Sequence, residues 1–327
     1  MSADLATTVA GLDLKNPVIA GSSEATAEPG QIRACLEAGA AAVVAKSVNE
    51  SPAAHANLRA AEYVLLDEHL RARPLGPAQR MDSLFCRSGL LEVELAEWAE
   101  TLATLDREAA QRDAYVVPSL IVAGLDRAVE AAATFESAGL RWLELNVGAP
   151  HASEAAEGIG AGVELVRRIR DAVSLPLTVK LAPDDSVADA LAAGADAVCI
   201  ATRAMGFVPD LTTRRPVLGT FAAVGGAWAL PLTLYRVAKT HAAHPEASIV
   251  ATNGARDGLD VARLLLAGAS AVALASAVLT DGPAALGRAV EELAGYCEEQ
   301  GTSVRDLIGE AAHHVQTYEE VAIERRH

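Results

Sequence analysis

The stretch that decides the fold reads Ala193-Gly194-Ala195-Asp196-Ala197-Val198-Cys199-Ile200. Similar stretches begin at Ala38, Ala267 and, more loosely, Ala138. In each copy a helical pattern ends at a glycine, the residue that most readily adopts the left-handed cap of a helix. A short apolar run follows, of the length typical of a strand buried on both faces. The repeat therefore predicts helices that alternate with the strands of a parallel sheet.

Eight strand-like runs alternate with eight amphipathic helical patterns along the 327 residues. The strands are predicted at 17–21, 41–46, 115–121, 142–146, 177–181, 197–201, 249–252 and 271–275. The helices are predicted at 29–38, 91–111, 125–138, 162–172, 186–193, 230–243, 258–266 and 283–300. This alternation indicates an α/β fold, a (β/α)₈ TIM barrel that forms a single domain over residues 1–327. The alternative is an open doubly wound sheet, but the first strand lacks the GxGxxG turn that would support it.

The composition argues against several classes of protein. Hydrophobic residues make up 51% of the chain, which is enough for a large core and argues against disorder. The 27 Lys and Arg residues are outnumbered by 43 Asp and Glu residues, which gives a formal net charge of −16. Because so acidic a surface repels nucleic-acid phosphates and anionic lipids, we expect neither a nucleic-acid partner nor a membrane partner.

The cysteines and the N-terminus indicate a reduced, cytoplasmic protein. The four cysteines, Cys35, Cys86, Cys199 and Cys297, do not have the spacing of a zinc or iron–sulfur site, so no metal is expected. The N-terminus lacks the basic region and the apolar run of a secretion signal. No uninterrupted apolar stretch reaches transmembrane length.

Two connections are much longer than the others. Residues 47–90 follow the second predicted strand, and residues 202–229 follow the sixth. Both leave the carboxyl end of the barrel, called here the mouth, where long loops build or cover active sites. Residues 301–327 are predicted to form a short helical tail.

Polar and small residues stand where the predicted strands reach the mouth. They are Ala20-Gly21-Ser22, Lys46-Ser47, Asn146, Lys180, Thr202-Arg203, Asn253-Gly254 and Ala275-Ser276. Lys46 and Lys180 each close an apolar run, and together with Asn146 they suggest a ligand with electron-rich atoms in the mouth. The backbone N–H groups of the turns at Gly254 and Ser276 are placed to hold a phosphate, which in this fold lies after the last two strands.

This ordered set of strand ends resembles the dihydroorotate dehydrogenase family. The matching motifs are Leu14-Lys15-Asn16-Pro17, Ala20-Gly21-Ser22, Lys46-Ser47, Glu144-Leu145-Asn146, Val179-Lys180-Leu181-Ala182-Pro183, Val224-Gly225-Gly226-Ala227 and Thr252-Asn253-Gly254. They run in order from about residue 5 to residue 310, and the barrel domain of dihydropyrimidine dehydrogenase is similar too. The resemblance implies an FMN-binding oxidoreductase that acts on a small molecule, with a homodimer expected by analogy.

The resemblance also implies roles for individual residues. FMN contacts are implied for Ala20, Gly21, Ser22, Lys46, Asn146, Lys180, Gly225, Gly226, Asn253, Gly254, Ala275 and Ser276. Substrate contacts are implied for Ser83, Asn146, Thr202 and Arg203. Lys180 would contact the pyrimidine edge of the flavin, where a cation stabilises the negative charge that appears on reduction. Lys46 would lie near both the flavin and the substrate.

The chain departs from the family at the catalytic base. The family signature Asn-x-x-Cys/Ser-Pro-Asn here reads Asn146-Val147-Gly148-Ala149-Pro150-His151. The base takes a carbon-bound proton while hydride passes to the flavin, and Ala149 has no group that accepts a proton. Because the loss of a positioned base costs roughly 10²- to 10⁴-fold in rate, ordinary dihydroorotate oxidation is not expected.

Three explanations remain open. In the first, the base has moved to His151 or Cys86. In the second, the reaction needs no such base, as in the oxidation of an amine or a thiol or in flavin–oxygen chemistry. In the third, catalysis has been lost. A non-flavin alternative is a lyase that forms a Schiff base on Lys180 or Lys46.

Overall fold

A closed parallel barrel forms the centre of the computed structural model, which describes residues 3–48, 61–121, 124–148, 161–182, 184–200 and 204–324. Its strands are Val18–Ala20, Ala42–Val44, the pair Tyr115–Val117 and Ser119–Ile121, Leu143–Asn146, Leu177–Lys180, Ala197–Ile200, Ser248–Thr252 and Ala271–Leu274. Each pairs in parallel with its neighbours around the sheet. The eight predicted strands are therefore confirmed to within two residues at their ends.

The third barrel strand closes the sheet. Its first half, Tyr115–Val117, pairs with Ala42–Val44, and its second half, Ser119–Ile121, pairs with Leu143–Asn146. Pro118 separates the halves because proline has no N–H to give to the ladder. Since both ends of the sheet belong to one strand, the predicted TIM barrel is confirmed and the open-sheet alternative is wrong.

Helices surround the barrel as the sequence predicts. They are Pro29–Glu37, Leu95–Ala110, Leu125–Ser137, Ala161–Ala172, Val187–Ala192, Leu230–Ala243, Gly258–Leu266 and Ala284–Gln300. The helix predicted to start at residue 91 starts four residues later. The N–H of Leu91 donates to the carbonyl of Ser47 instead, and Leu91 forms a bridge with Val48 at the mouth.

The glycines of the repeated motif cap helices in the predicted conformation. The φ angles are 101° at Gly39, 88° at Gly139, 107° at Gly194 and 111° at Gly268. At Gly194, the glycine N–H donates to the carbonyl of Leu191 and the next N–H donates to that of Ala190. This paired arrangement ends a helix and aims the chain directly into the next strand.

A hairpin closes the barrel end opposite the mouth. Strands Thr7–Val9 and Leu12–Leu14 pair in antiparallel fashion, and Val9 and Leu14 are buried among the inward-facing side chains of the barrel. The Thr7 hydroxyl donates to the carbonyl of Ser270 at 2.8 Å. This end is therefore packed, and only the mouth is left for a ligand.

A five-stranded antiparallel sheet stands at the mouth. It unites the two long connections, in the order Ala204–Gly206, Ala222–Gly226, Ser83–Arg87, Glu62–Leu66 and Ala72–Pro74. A short helix, Ser276–Asp281, follows the eighth strand, and the tail contains the helices Val304–Leu307 and Tyr318–Glu324. None of the helices in the described ranges is long and apolar enough to cross a membrane.

Candidate active site

Strand alternation divides the fourth and fifth barrel strands into an outer and an inner row. Leu145 and Val179 pack in the core between sheet and helices. Their neighbours in sequence, Glu144, Asn146 and Lys180, therefore point into the barrel. Glu144 and Asn146 are buried, and Asn146 pairs in register with Lys180. Two neighbouring strands thus bring a carboxylate, an amide and an ammonium group together inside the mouth.

Lys180 lies at the mouth without a counter-ion from the described part of the chain. The charges of Lys180 and Glu144 both act on the buried thiol of Cys199, which lies on the sixth strand. Burial raises the pKa of Cys199 to about 12, with Lys180 opposing the rise and Glu144 adding to it. Cys199 is therefore a neutral thiol, and Lys180 brings positive charge to this side of the mouth.

Lys46, in contrast, is held by a carboxylate that the sequence analysis missed. Its ammonium donates to Glu24 Oε1 at 2.8 Å, and the N–H of Gly89 donates to the same oxygen at 3.0 Å. The Tyr63 hydroxyl donates to the other oxygen, Glu24 Oε2. Burial alone would raise the pKa of Glu24, but the charge of Lys46 and these hydrogen bonds outweigh it and lower that pKa. Lys46 and Glu24 are therefore an ion pair at neutral pH.

A row of hydroxyl groups crosses the mouth from the first strand to the fourth. Ser22 Oγ lies 3.2 Å from Ser47 Oγ, and Ser47 Oγ lies 2.8 Å from Ser119 Oγ. Ser119 then donates to Glu144 Oε1 at 2.8 Å. The sequence analysis assigned no role to Ser119 or to Glu144. Strand alternation beside Asn146 was the signal that could have placed Glu144 inside the barrel.

The opposite side of the mouth is built mainly from backbone. Gly226 ends its strand next to Asn253, whose side-chain oxygen accepts from the Gly226 N–H at 3.4 Å. Asn253 and Gly254 both have positive φ, and a Cβ on Gly254 would lie 2.7 Å from the Leu230 backbone. Gly21 adjoins Ala275, so this arc continues to the first strand. The predicted phosphate loops therefore lie side by side.

Two helices begin at this arc, Leu230–Ala243 and Ser276–Asp281. Neither has an acidic residue in its first turn, and the same holds for the helix after strand one, whereas the helices after strands two, three, four, five and seven each have one. The first N–H groups of a helix have no acceptor within the helix and attract anions. The arc is therefore suited to a phosphate group.

The antiparallel sheet places two predicted site residues on opposite faces. Cys86 lies directly across from Tyr63, whose hydroxyl reaches Glu24 in the mouth, so Cys86 shares the face that looks toward the barrel. Ser83 is on the same face as Phe85, which packs against Val208 on the far side of the sheet. The substrate role of Ser83 stays a prediction, and the geometry favours Cys86 as the residue that faces the mouth.

Four residues that matter to the predicted chemistry lie outside the described residues. They are Ala149, His151, Thr202 and Arg203. Their predicted roles stay predictions. The chain is described up to Gly148, whose N–H donates to Asn146 Oδ1 at 3.2 Å and so fixes the side chain of Asn146 at the start of that loop.

Comparison with known proteins assigns the family. The family model described as dihydroorotate dehydrogenase matches residues 79–296, more than half of the chain. The chain belongs to the dihydroorotate dehydrogenase family. It is 34% identical over 197 residues to dihydroorotate dehydrogenase A (fumarate) of Lactobacillus helveticus, a match that covers 57% of this chain and 64% of that protein.

Other members of the family match over more of their length. The catalytic subunit of dihydroorotate dehydrogenase B (NAD(+)) of Methanothermobacter thermautotrophicus is 26% identical over 318 residues, which cover 93% of this chain and 97% of that protein. The corresponding subunit of Shouchella clausii is 30% identical over 220 residues, which cover 63% of this chain and 72% of that protein. These relatives carry two different names within one family, so similarity alone does not define an electron acceptor.

The site fits the cofactor of this family, which consists of FMN-dependent oxidoreductases. Lys180 is a cation without a counter-ion among the described residues, and the backbone arc presents two helix N-termini free of acidic residues. A cation suits the flavin pyrimidine edge, and helix N-termini suit the phosphate. The chain is an oxidoreductase of this flavin-dependent family, and its own residues are consistent with that cofactor.

Proposed function

We propose that this protein uses FMN to oxidise or reduce a small polar or anionic substrate, by chemistry that differs from ordinary dihydroorotate oxidation. The observation that carries the proposal is Ala149 at the position of the family base, in a barrel that keeps the cofactor residues. FMN, when bound, supplies a group that takes up or gives two electrons with a proton. The protein supplies the binding site, the charge and the route for the second proton.

The described residues have separable tasks in this proposal. Lys180 would stabilise negative charge on the reduced cofactor, and the arc of Gly226, Gly254 and Ser276 would hold its phosphate, with the backbone N–H groups of Gly254 and Ser276 as donors. Asn146, fixed by its hydrogen bond from Gly148, positions the substrate or the flavin edge. Arg203 is proposed to bind a substrate carboxylate, because a guanidinium group pairs with a carboxylate through two hydrogen bonds.

Two residues are candidates for a displaced base, His151 and Cys86. Histidine titrates near neutral pH, and Cys86 lies on the sheet face that looks toward the mouth. A reaction that needs no carbon-acid base is the second possibility, and loss of catalysis is the third. A Schiff-base lyase on Lys46 is disfavoured because Glu24 holds Lys46 as a cation, whereas a nucleophilic lysine must be neutral. A lyase on Lys180 stays the non-flavin alternative.

Three variants of the FMN-loaded protein test the proposal. Ala149→Cys is expected to accelerate flavin reduction by dihydroorotate, roughly 100-fold or more over the wild-type chain, because it restores the family base. His151→Asn and Cys86→Ala are compared for turnover of the true substrate. If both keep full turnover, neither residue is the displaced base. A wild-type chain that oxidises dihydroorotate as fast as Ala149→Cys would contradict the proposed change of chemistry.

We also propose a homodimer in the cytoplasm. The four cysteines are all buried, which is consistent with a reducing compartment. The exposed pair Phe207 and Phe221, 5.6 Å apart between ring centroids, supports a protein contact beside the edge strand Ala204–Gly206 of the mouth sheet. Sedimentation of the purified chain as a monomer at micromolar concentration would contradict the dimer.

A further inference from the structure

The serine row ends on a buried carboxylate and begins at the open mouth. Ser47, Ser119 and Glu144 are each at most 4% exposed, whereas Ser22 is partly exposed. The three hydrogen bonds between these four side chains are continuous, with oxygen–oxygen distances of 3.2, 2.8 and 2.8 Å. The row therefore connects the ligand space to a group deep in the barrel.

The carboxylate fixes the direction of every hydrogen bond in the row. A serine hydroxyl has one proton, and Ser119 gives its proton to Glu144. Ser47 must then donate to Ser119, and Ser22 must donate to Ser47. Ser22 is left with a lone pair toward the mouth, so it can accept a proton from a ligand there.

We propose that this row is a proton relay, in which Glu144 receives the substrate proton that the missing base at position 149 cannot take. The inference rests on the proposed function. Oxidation of the substrate removes two electrons and two protons, of which the electron pair and one proton leave together as hydride to FMN. The second proton binds the Ser22 oxygen while the proton of Ser22 moves to Ser47, that of Ser47 to Ser119, and that of Ser119 to Glu144. Each serine forms one O–H bond and breaks one, and the carboxylate becomes a carboxylic acid.

The groups around Glu144 are compatible with this task. Among the described residues, Cys199 on the sixth strand feels the charges of both Glu144 and Lys180, and Asn146 follows Glu144 on the inner side of the same strand. Since burial keeps Cys199 protonated, the thiol does not compete for the proton. The proton stays on Glu144 while the flavin is reduced, and the same hops in reverse return it through Ser22 to solvent once the flavin is reoxidised.

The midpoint potential of the bound flavin, measured against pH, tests the end point of the relay. The slope reports how many protons are taken up with two electrons. We expect two in the wild-type protein and one in Glu144→Gln, so the substitution should halve the slope. Glu136→Gln is the matched control, because Glu136 accepts from Ser174 at 2.7 Å in the same kind of pair on the surface. It should leave the slope unchanged.

The rate of proton uptake tests the row itself. Ser119→Ala keeps the carboxylate but interrupts the row, so uptake after photoreduction of the flavin should slow at least tenfold while the slope stays that of the wild type. Ser119→Thr, which keeps a hydroxyl, should recover most of the rate. Equal slopes in wild type and Glu144→Gln, or an unchanged rate in Ser119→Ala, would overturn the relay. If Glu144→Gln does not fold, the rate of proton uptake in Ser119→Ala is the test of the relay.

The same preparation separates the relay from the proposed function. Each variant is first titrated with FMN, and binding within about threefold of the wild type shows that its fold is intact. A wild-type chain that does not bind FMN contradicts the proposed function and the relay together. A chain that binds FMN but takes up one proton per two electrons contradicts the relay alone.

Discussion

The two sides of the barrel mouth are built from different chemical groups. At strands six to eight, the groups predicted to hold a ligand are backbone N–H groups, those of Gly254 and Ser276 beside Gly226. At strands one to five, they are side chains, chiefly Lys46, Lys180 and the serine row. A backbone donor survives most substitutions, whereas a side-chain site changes its chemistry with one residue.

This difference explains which departures from the family matter. Asn253 and Ala275 stand where the family has glycine, yet each still provides its N–H to the arc. Ala149 stands where the family has a base and provides no replacement. Cofactor binding is therefore expected to persist on the backbone side while the reaction changes on the side-chain side.

The largest effect is expected where the backbone arc cannot accept a side chain. At Gly254 the φ is 105°, and a Cβ would lie 2.7 Å from the Leu230 backbone. Gly254→Ala should cost roughly 2–5 kcal/mol of stability and weaken FMN binding about 100-fold. Fluorescence titration with FMN and chemical denaturation measure both.

Gly219 provides the matched control for this substitution. It has a φ of 72°, but nothing lies within 4 Å of its Cβ position. Gly219→Ala therefore carries the conformational cost alone and should leave FMN affinity unchanged. Equal losses of FMN affinity in the two variants would contradict a specific role for the close approach at Gly254.

Removal of the Lys180 charge should change the potential of the bound flavin more than the affinity for FMN. Lys180→Met keeps the length of the side chain but not the charge. If the ammonium group stabilises the reduced flavin by about 2–3 kcal/mol, its loss should lower the midpoint potential by roughly 40–60 mV. Spectroelectrochemistry measures it, with the exposed Lys239→Met as control. An unchanged potential in Lys180→Met would show that Lys180 does not lie at the flavin edge.

The ion pair between Glu24 and Lys46 should show a pH-dependent contribution to stability. Because the pKa of Glu24 is lowered in the folded state, its contribution is present above the ordinary value of 4.5 and is lost as pH falls through the lowered pKa. Glu24→Gln should destabilise the protein by about 2–3 kcal/mol at pH 7. The difference from wild type should shrink below about pH 4.5.

Denaturation curves at pH 7 and at pH 3.5 check this prediction. Glu108→Gln is the control, because Glu108 pairs with Arg33 on the surface, where solvent screens the charges. Its effect at pH 7 should be much smaller than that of Glu24→Gln. A difference between wild type and Glu24→Gln that stays constant with pH would argue against the ion pair.

The smallest effect is expected at the family departure within the arc. Asn253 has a φ of 74°, a region that asparagine tolerates, and its side-chain bond to the Gly226 N–H is long. Asn253→Gly should change FMN affinity by less than about threefold. A tenfold loss in the same titration would mean that the Asn253 side chain, and not only the backbone, builds this side of the mouth.

The local pattern of the sequence was enough to predict the barrel. Each glycine-capped helix and apolar strand is specified by neighbouring residues, so all eight strands and helices were predictable. The mouth sheet was not, because the pairing of Val224 with Phe85 joins segments far apart in the chain. No local pattern sets that register.

The strand-end positions of the candidate site were predictable for the same reason, while their cofactor roles stay predictions. Gly254, Ser276 and Lys180 follow directly from strand ends. Glu24 and Tyr63 were missed because a carboxylate from one loop and a phenol from another meet only in the folded protein. Their contact depends on the mouth sheet, which the sequence does not specify locally.

The change of chemistry at Ala149 is measured by anaerobic mixing of the FMN-loaded wild-type protein with dihydroorotate, followed by flavin absorbance. We expect FMN to stay bound and oxidised in the wild-type protein, while Ala149→Cys bleaches at least about 100-fold faster. Wild-type protein that bleaches as fast as Ala149→Cys would show that the chain carries out the family reaction without the base at position 149, and the proposed change of chemistry would then be wrong.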